Sequence, residues 1–274
     1  MADLFIVGQF DGVASTTAVS IGSQVMHMLT VMIVGLAMGA TVSIGQSIGA
    51  GDKKRASVFV GNTVILFMGI SLVLAVLLLF FVKPAVAVMS TPAEAVSGTA
   101  AYLTICFLGI PFITAYNVIS SIFRGLGDSK SPMYFIAVAC AVNIILDYLF
   151  IGFFHLGASG AALGTTLSQA CSVLFALIAI KRKQTGLSLS GDCFRPQKKP
   201  LDKILNIGIP VALQDGFIQI AFIIITIIAN RRGLNAAAAV GIVEKIISFL
   251  FLIPSSNAFD CFCTRSSEYR CRKV

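Results

Sequence analysis

The sequence predicts an all-α fold, a polytopic bundle of membrane-spanning helices. Three observations carry that prediction. The chain is 57% hydrophobic, its mean hydropathy is +0.93 and only 12% of its residues are charged, a balance that excludes an ordinary soluble domain. Its apolar segments are long and do not alternate, which points to helices and away from an outer-membrane barrel. Its Lys and Arg residues collect in the loops between those segments, the footprint of membrane orientation, so the formal charge of +8 is no argument for nucleic acid.

Residues 1–10 read as the end of a helix too short to span alone, and Gly12 marks a turn. Met1 leads straight into apolar residues without a basic leader, so no cleavable signal peptide is expected. Residues 14–49 form one apolar run, and at 1.5 Å per residue such a helix is about 54 Å long, well over a ~30 Å hydrocarbon core. It is expected to tilt, to bend near Gly35 or Gly39, and to stop at the G-A-G-D-K-K-R of residues 49–55. Further spans are expected at 56–82, 96–123, 133–154, 159–180, 203–230 and 236–256. The loops near 52–55, 124–130 and 181–203 hold twelve Lys and Arg residues, while the alternate loops hold Lys83, Arg231 and Arg232. The basic set is therefore assigned to the cytoplasmic side, and Arg231 and Arg232 run against the rule. The 181–203 loop is the longest and most polar, and it is the natural hinge between two bundles.

The stretch at 132–154 holds the chemistry. It is apolar enough to cross a bilayer, yet it carries Asn143 and Asp147, spaced i, i+4 and so on one helix face. A carboxylate at mid-membrane depth costs roughly 3 kcal/mol even on a gentle insertion scale, so it belongs in a bundle interior or a wet cavity. A structural hydrogen bond between helices is the bland alternative, but a neutral Asn or Ser would serve that purpose at lower cost. A Gly-Ile-Pro tripeptide occurs twice, at 109–111 and at 208–210, and Pro inside a membrane helix favours a kink. Asn117 faces either a polar cavity or a neighbouring helix. Cys106, Cys140 and Cys171 lie in apolar runs as small packing residues, and His27 and His155 have no ligand spacing.

Residues 12–21 align with 233–242 at an offset of 221, pointing to an internal repeat. After Phe259 the membrane pattern collapses into D-C-F-C-T-R-S-S-E-Y-R-C-R-K-V. Synonymous codons allow that tail to be read one base later as N-I-G-A-G-K, with its first Gly at position 270, which keeps the register set by Gly49 of the first copy. A frameshift near Ser256 or Asn257 is expected on this basis, and the metal-like Cys261, Cys263 and Cys271 then lie out of frame.

The motifs A-D-L-F-I-V-G-Q-F (2–10), Q-S-I-G-A-G-D (46–52), G-I-P-F-x-x-x-Y-N (109–117), F-R-G-L-G-D-S-K-S-P (123–132), N-I-I-L-D-Y-L-F-I (143–151), G-A-S-G-A-A-L-G-T-T-L-S-Q (157–169) and I-G-I-P-V-A-L-Q (207–214) resemble, as a set, the multidrug and toxin extrusion (MATE) family. The resemblance implies two six-helix lobes around a central cavity that opens alternately to either side of the cell membrane. This chain would hold an N-terminal lobe (1–183, from the end of the first helix), a cytoplasmic linker (184–200), the start of a C-terminal lobe (201–256) and the out-of-frame tail (257–274). It implies export of small organic, often cationic, compounds by Na+- or H+-coupled antiport, by a monomer with no cofactor beyond the coupling ion. By motif alignment the cation or proton site falls on Asp3, Asn117, Asn143, Asp147 and Thr165, with Asp147, Asn143 and Asp3 as ligands should the ion be Na+. Asp215 and Gln214 form an alternative second site. The chemistry agrees: an acid in low dielectric exchanges a proton, or with further oxygen ligands holds a hard cation, and either event biases one cavity orientation. Two other readings stand beside antiport. One is a lipid-linked saccharide flippase of the same architecture, which would want a basic cavity; the other is an inactive product of a decayed or mis-sequenced gene. No HExxH, GxSxG or paired catalytic His points to an enzyme.

Overall fold

The computed structural model describes residues 2–89, 91–92, 94–182 and 191–231, together with Ile247 and Leu250. Among the described residues nine α-helices follow one another: α1 (Ala2–Phe10), α2 (Val13–Gly49), α3 (Lys53–Phe80), α4 (Val82–Val88), α5 (Val96–Leu108), α6 (Ile110–Gly125), α7 (Lys130–Asp147), α8 (Gly157–Arg182) and α9 (Lys198–Arg231). A π-helical turn at Tyr148–Phe153 extends α7, and a 3-10 turn at Gly191–Phe194 precedes α9. Among the described residues, five helices are long and apolar enough to cross a membrane, and the α5–α6 pair makes a sixth span bent by 49°. Apart from Ile247 and Leu250, the expected span at 236–256 lies outside the described residues, as do the second copy of the repeat at 233–242 and the tail at 257–274.

Two of the basic loops use one device. Gly51 takes φ 72°, in the left-handed region that glycine tolerates, and lets α2 end with the Asp52 N–H donating to the Ser47 carbonyl at 3.0 Å. Asp52 then accepts from the Arg55 N–H at 2.9 Å and caps α3. The second loop repeats this. Gly127 takes φ 84°, the Asp128 N–H donates to Phe123, and the Asp128 carboxylate accepts from the Ser131 N–H at 3.1 Å and the Ser131 hydroxyl at 2.7 Å.

α2 is the central post. It packs along α9, α6, α5 and α3, and 56% of its apolar window is buried against 22% for α3 and α7. The outward faces carry Leu72, Val73, Phe80, Ile145, Leu174 and Phe217 exposed, an apolar belt too large for water and suited to lipid. One buried cluster joins Ile6, Val19, Leu103, Phe107 and Ile151 across α1, α2, α5 and the π turn; another joins Ala37, Ile44, Phe59, Phe67 and Ile204 across α2, α3 and α9.

Several expectations change. α2 is continuous through Gly35 and Gly39, which serve a different purpose from a bend. A Cβ on Gly39 would overlap the Ile204 carbonyl oxygen of α9, and one on Gly35 would sit 2.9 Å from Ala212 Cα. Gly208 of α9 is equally tight against the Leu36 carbonyl, so three glycines let the two backbones cross. The two Gly-Ile-Pro sites also part company. At Gly109 the span breaks and Pro111 starts the new helix α6, where its missing N–H is no loss; α9 runs through Pro210 unbroken. Residues 82–88, where no element was expected, form α4, and α9 starts five residues before the expected 203. Cys106 is buried as expected, but Cys140 is exposed on the outer face.

Candidate functional site

Asp147 is the last residue of α7 and is 0% exposed. Among the described residues, no group other than the Asp3 carboxyl is within hydrogen-bond reach of its oxygens. Three local features bring it inside. α7 delivers it onto α8 where the residue opposite is Gly164, and a Cβ there would overlap Asp147 Oδ1. The small residues of G-A-S-G-A-A-L-G keep α8 slim, with Ala158, Ala161 and Ala162 all buried. The π turn begins one residue later, buries Ile151 and leaves Phe153 and Phe154 to the outside, so the helix widens next to the acid.

Asp3 of α1 faces the same point, and its carboxyl acts electrostatically on Asp147. Thr165 Oγ1 donates to Asp3 Oδ2 at 3.4 Å, a long contact that holds the acid loosely. Tyr102 of α5, 2% exposed, completes the group. Its ring fills the space left by Gly22 of α2, its hydroxyl is bonded to Cys106, and it lies within electrostatic range of both Asp3 and Asp147. Four helices far apart in sequence thus converge on two carboxyls, a threonine hydroxyl and a phenol.

The other expected residues are placed differently. Asn143 lies one turn before Asp147 on α7 and is half-buried. Asn117 is 7% exposed, and its amide donates to the Ile113 carbonyl of its own helix at 2.8 Å. Asp215 is half-buried on α9 with Oδ2 close to Gly35 of α2, and Gln214 is exposed. α9 packs on α2 and α3, whereas the Asp147 group is built from α1, α5, α7 and α8, so Asp215 and Gln214 stand apart from it. Tyr102 and Gly164 escaped the sequence reading. A phenol in the apolar run 96–123, one of two there with Tyr116, was the available signal for the first, and the Gly-Thr-Thr of residues 164–166 for the second.

Chemically the group offers oxygen donors only: carboxylates from Asp3 and Asp147, and hydroxyls from Thr165 and Tyr102. Such a set suits a proton or a hard monovalent cation. Among the described residues no cluster of three or more His, Cys, Asp or Glu side chains is arranged for a transition metal. Further buried polar atoms without partners follow nearby in sequence on α8, namely Thr166 Oγ1 and Gln169 Oε1, with Thr114 Oγ1 and Ser43 Oγ on α6 and α2. A cavity of about 450 Å3 lies elsewhere, between α3, α6 and α8 under Phe194; its lining is apolar and it shares no residue with the acidic group.

Comparison with known proteins adds independent information. Residues 1–149 match the family model described as MatE. The chain is 31% identical over 251 residues to the "Probable multidrug resistance protein YpnP" of Bacillus subtilis, covering 91% of this chain and 56% of that one. It is 28% identical over 253 residues to the "Multidrug export protein MepA" of Staphylococcus aureus, covering 92% and 56%. The chain therefore spans a little over half the length of the curated relatives it matches. Among solved structures, an outward-facing multidrug resistance MATE transporter superposes with a TM-score of 0.85 at 26% identity, over 97% of this chain and 58% of the other. An inward-facing one gives 0.80 at 27% identity, over 92% and 57%.

Proposed function

The chain belongs to the MatE family, and we propose that it forms the ion-coupling lobe and the first part of the second lobe of a carrier that exports small organic compounds in exchange for Na+ or H+. The observation that carries this reading is Asp147: fully buried inside an apolar bundle, with the carboxyl of a second acid, Asp3, as its polar neighbour. Two carboxylates in low dielectric cannot both stay charged and unpaired, so one must take a proton or the pair must share a cation. Either event relieves repulsion between α1 and α7, the helices that bear the two acids. Binding thereby favours the arrangement in which α1, α7 and α8 are drawn together, and release favours the looser one. Drug binding elsewhere needs only to prefer the opposite arrangement for the two fluxes to be coupled. Asp147 is the acceptor in this scheme, Asp3 the second acid, and Thr165 and Tyr102 supply neutral oxygens around them. Asn143 is an additional ligand one turn away on α7.

The names of the relatives support export of drugs as the transport direction, and the motifs shared with MATE transporters support organic cations as cargo. The test is efflux of a cationic dye from vesicles holding this chain joined in frame to a second lobe, driven by a Na+ gradient or by a pH gradient. The proposal expects one gradient to drive efflux and Asp147→Asn to remove that drive while membrane insertion is kept. Equal efflux by the Asp147→Asn protein removes the acid from the mechanism.

A further inference from the structure

At the end of the bundle that carries the basic loops, the first turns of α3 and α9 enclose a small cavity of about 250 Å3. Arg55, Lys199 and Lys203 line it, with Gln197 and Phe59, and among the described residues that line it there is no acid. Lys203 is fixed there: its ammonium donates to Gln46 Oε1 of α2 at 2.6 Å and lies 5.6 Å from the centre of the Phe59 ring. Arg55 and Lys199 are exposed at the mouth, and no ion pair engages either among the described residues. Two acids are near in sequence: the Asp52 carboxylate accepts the Arg55 N–H as the cap of α3, and Asp202, beside Lys203, is exposed and does not line the cavity. The wall opposite is also held, because the Gln197 N–H donates to Asn62 Oδ1 at 2.7 Å and ties the start of α9 to α3.

We infer that this cavity binds a phosphate group at the membrane surface, held between Arg55, Lys199 and Lys203. Orientation alone asks only that cations lie on this side; it does not ask that three of them surround one hollow with one ammonium locked in place. Size argues for a phosphate and against a drug, since drug-sized sites run to roughly 300–1,000 Å3 and are mostly apolar. Depth argues for a lipid source. Apolar, buried residues of α3 begin at Ala56, immediately after Arg55, so the cavity sits where headgroups lie, and basic pockets between membrane helices on this side take anionic headgroups. A free phosphate ion has the same chemistry and is the other source.

Native mass spectrometry of the purified full chain separates the two. It is offered phosphatidylglycerol, phosphatidylcholine or inorganic phosphate, and compared with the Arg55→Gln/Lys199→Gln double variant. The site predicts retained phosphatidylglycerol in preference to phosphatidylcholine, or retained inorganic phosphate, with the double variant weakening that ligand about 30-fold from roughly 1 kcal/mol for each cation. Lipid retention that inorganic phosphate does not displace names the headgroup; displacement at equal concentration names the free ion. An Arg55→Lys/Lys199→Arg variant keeps the charges and should keep the binding, which guards against misreading a folding defect. No preference over phosphatidylcholine together with no retained phosphate overturns the inference, and so does unchanged binding by the neutral variant.

Discussion

Asp147 and Asp215 are both carboxylates inside apolar helices, and each lies against a glycine of a neighbouring helix, Gly164 for the first and Gly35 for the second. Their surroundings differ. Asp147 is wholly buried, has no neutral donor on its oxygens among the described residues, and shares its space with Asp3 and Tyr102. Asp215 is half-buried, and among the described residues no second acid acts on it. A glycine lets a carboxylate into a helix interface in both places. Only where a second acid stands opposite does the charge have to be shared with an incoming cation or proton. A single acid at a partly wet crossing can remain as a packing and hydration feature.

The largest test of that contrast exchanges each acid for its amide in the two-lobed protein. Asp147→Asn is expected to bring gradient-driven dye efflux down to the level of empty vesicles, whereas Asp215→Asn should keep most of it. Equal losses would put both acids in one mechanism and dissolve the distinction.

Next come the glycines. Gly164→Ala places a methyl group onto Asp147 Oδ1, so α8 or the acid must move, at about 1–3 kcal/mol by the usual cost of overpacking. Efflux and thermal stability should fall together, measured by dye flux and by unfolding in detergent. Gly39→Ala asks the Ile204 backbone to yield and should cost a similar amount of stability, again about 1–3 kcal/mol. It acts at the α2–α9 crossing, so sensitivity of the purified chain to proteolysis in α9 should rise while Asp147 keeps its burial. A Gly39→Ala protein as stable as the parent would mean that the α2–α9 crossing has room for a methyl group.

Smallest is Thr165→Val, which removes the 3.4 Å contact to Asp3. A long hydroxyl–carboxylate bond is worth at most about 1 kcal/mol, so a shift in half-saturating coupling-ion concentration of about fivefold or less is expected, with maximal efflux unchanged. A larger effect on the maximal rate would give Thr165 a direct part in moving the ion.

Much of this could be read from the residues alone, and the pattern of what could not is instructive. Hydropathy located the described spans to within about five residues, because each helix must satisfy its own backbone in lipid and so announces its length. The stops at 49–55 and 124–130 were legible for the same local reason, since a glycine followed by a capping Asp needs no distant partner. Asn143 and Asp147 announced themselves as misfits in an apolar run. Tyr102 did not, because a phenol is tolerated in any membrane helix and nothing near it in sequence is unusual. Gly35 and Gly39 looked like weak points of a long helix and are contact points instead, a distinction that depends wholly on α9 lying across them.

The same limit divides the whole protein. Sequence by itself determined that this is a helical membrane chain, which of the described stretches are long and apolar enough to cross, and that one acid in an apolar run needs a reason. Motif resemblance had already grouped Asp3 with Asp147; tertiary structure alone decided that Tyr102 joins them, that Gly164 and not some larger residue receives Asp147, and that Asp215 stands apart. The physical reason is that lipid and protein interior are equally apolar, so hydropathy tells a helix that it must be buried without telling it which face meets lipid and which meets a neighbour.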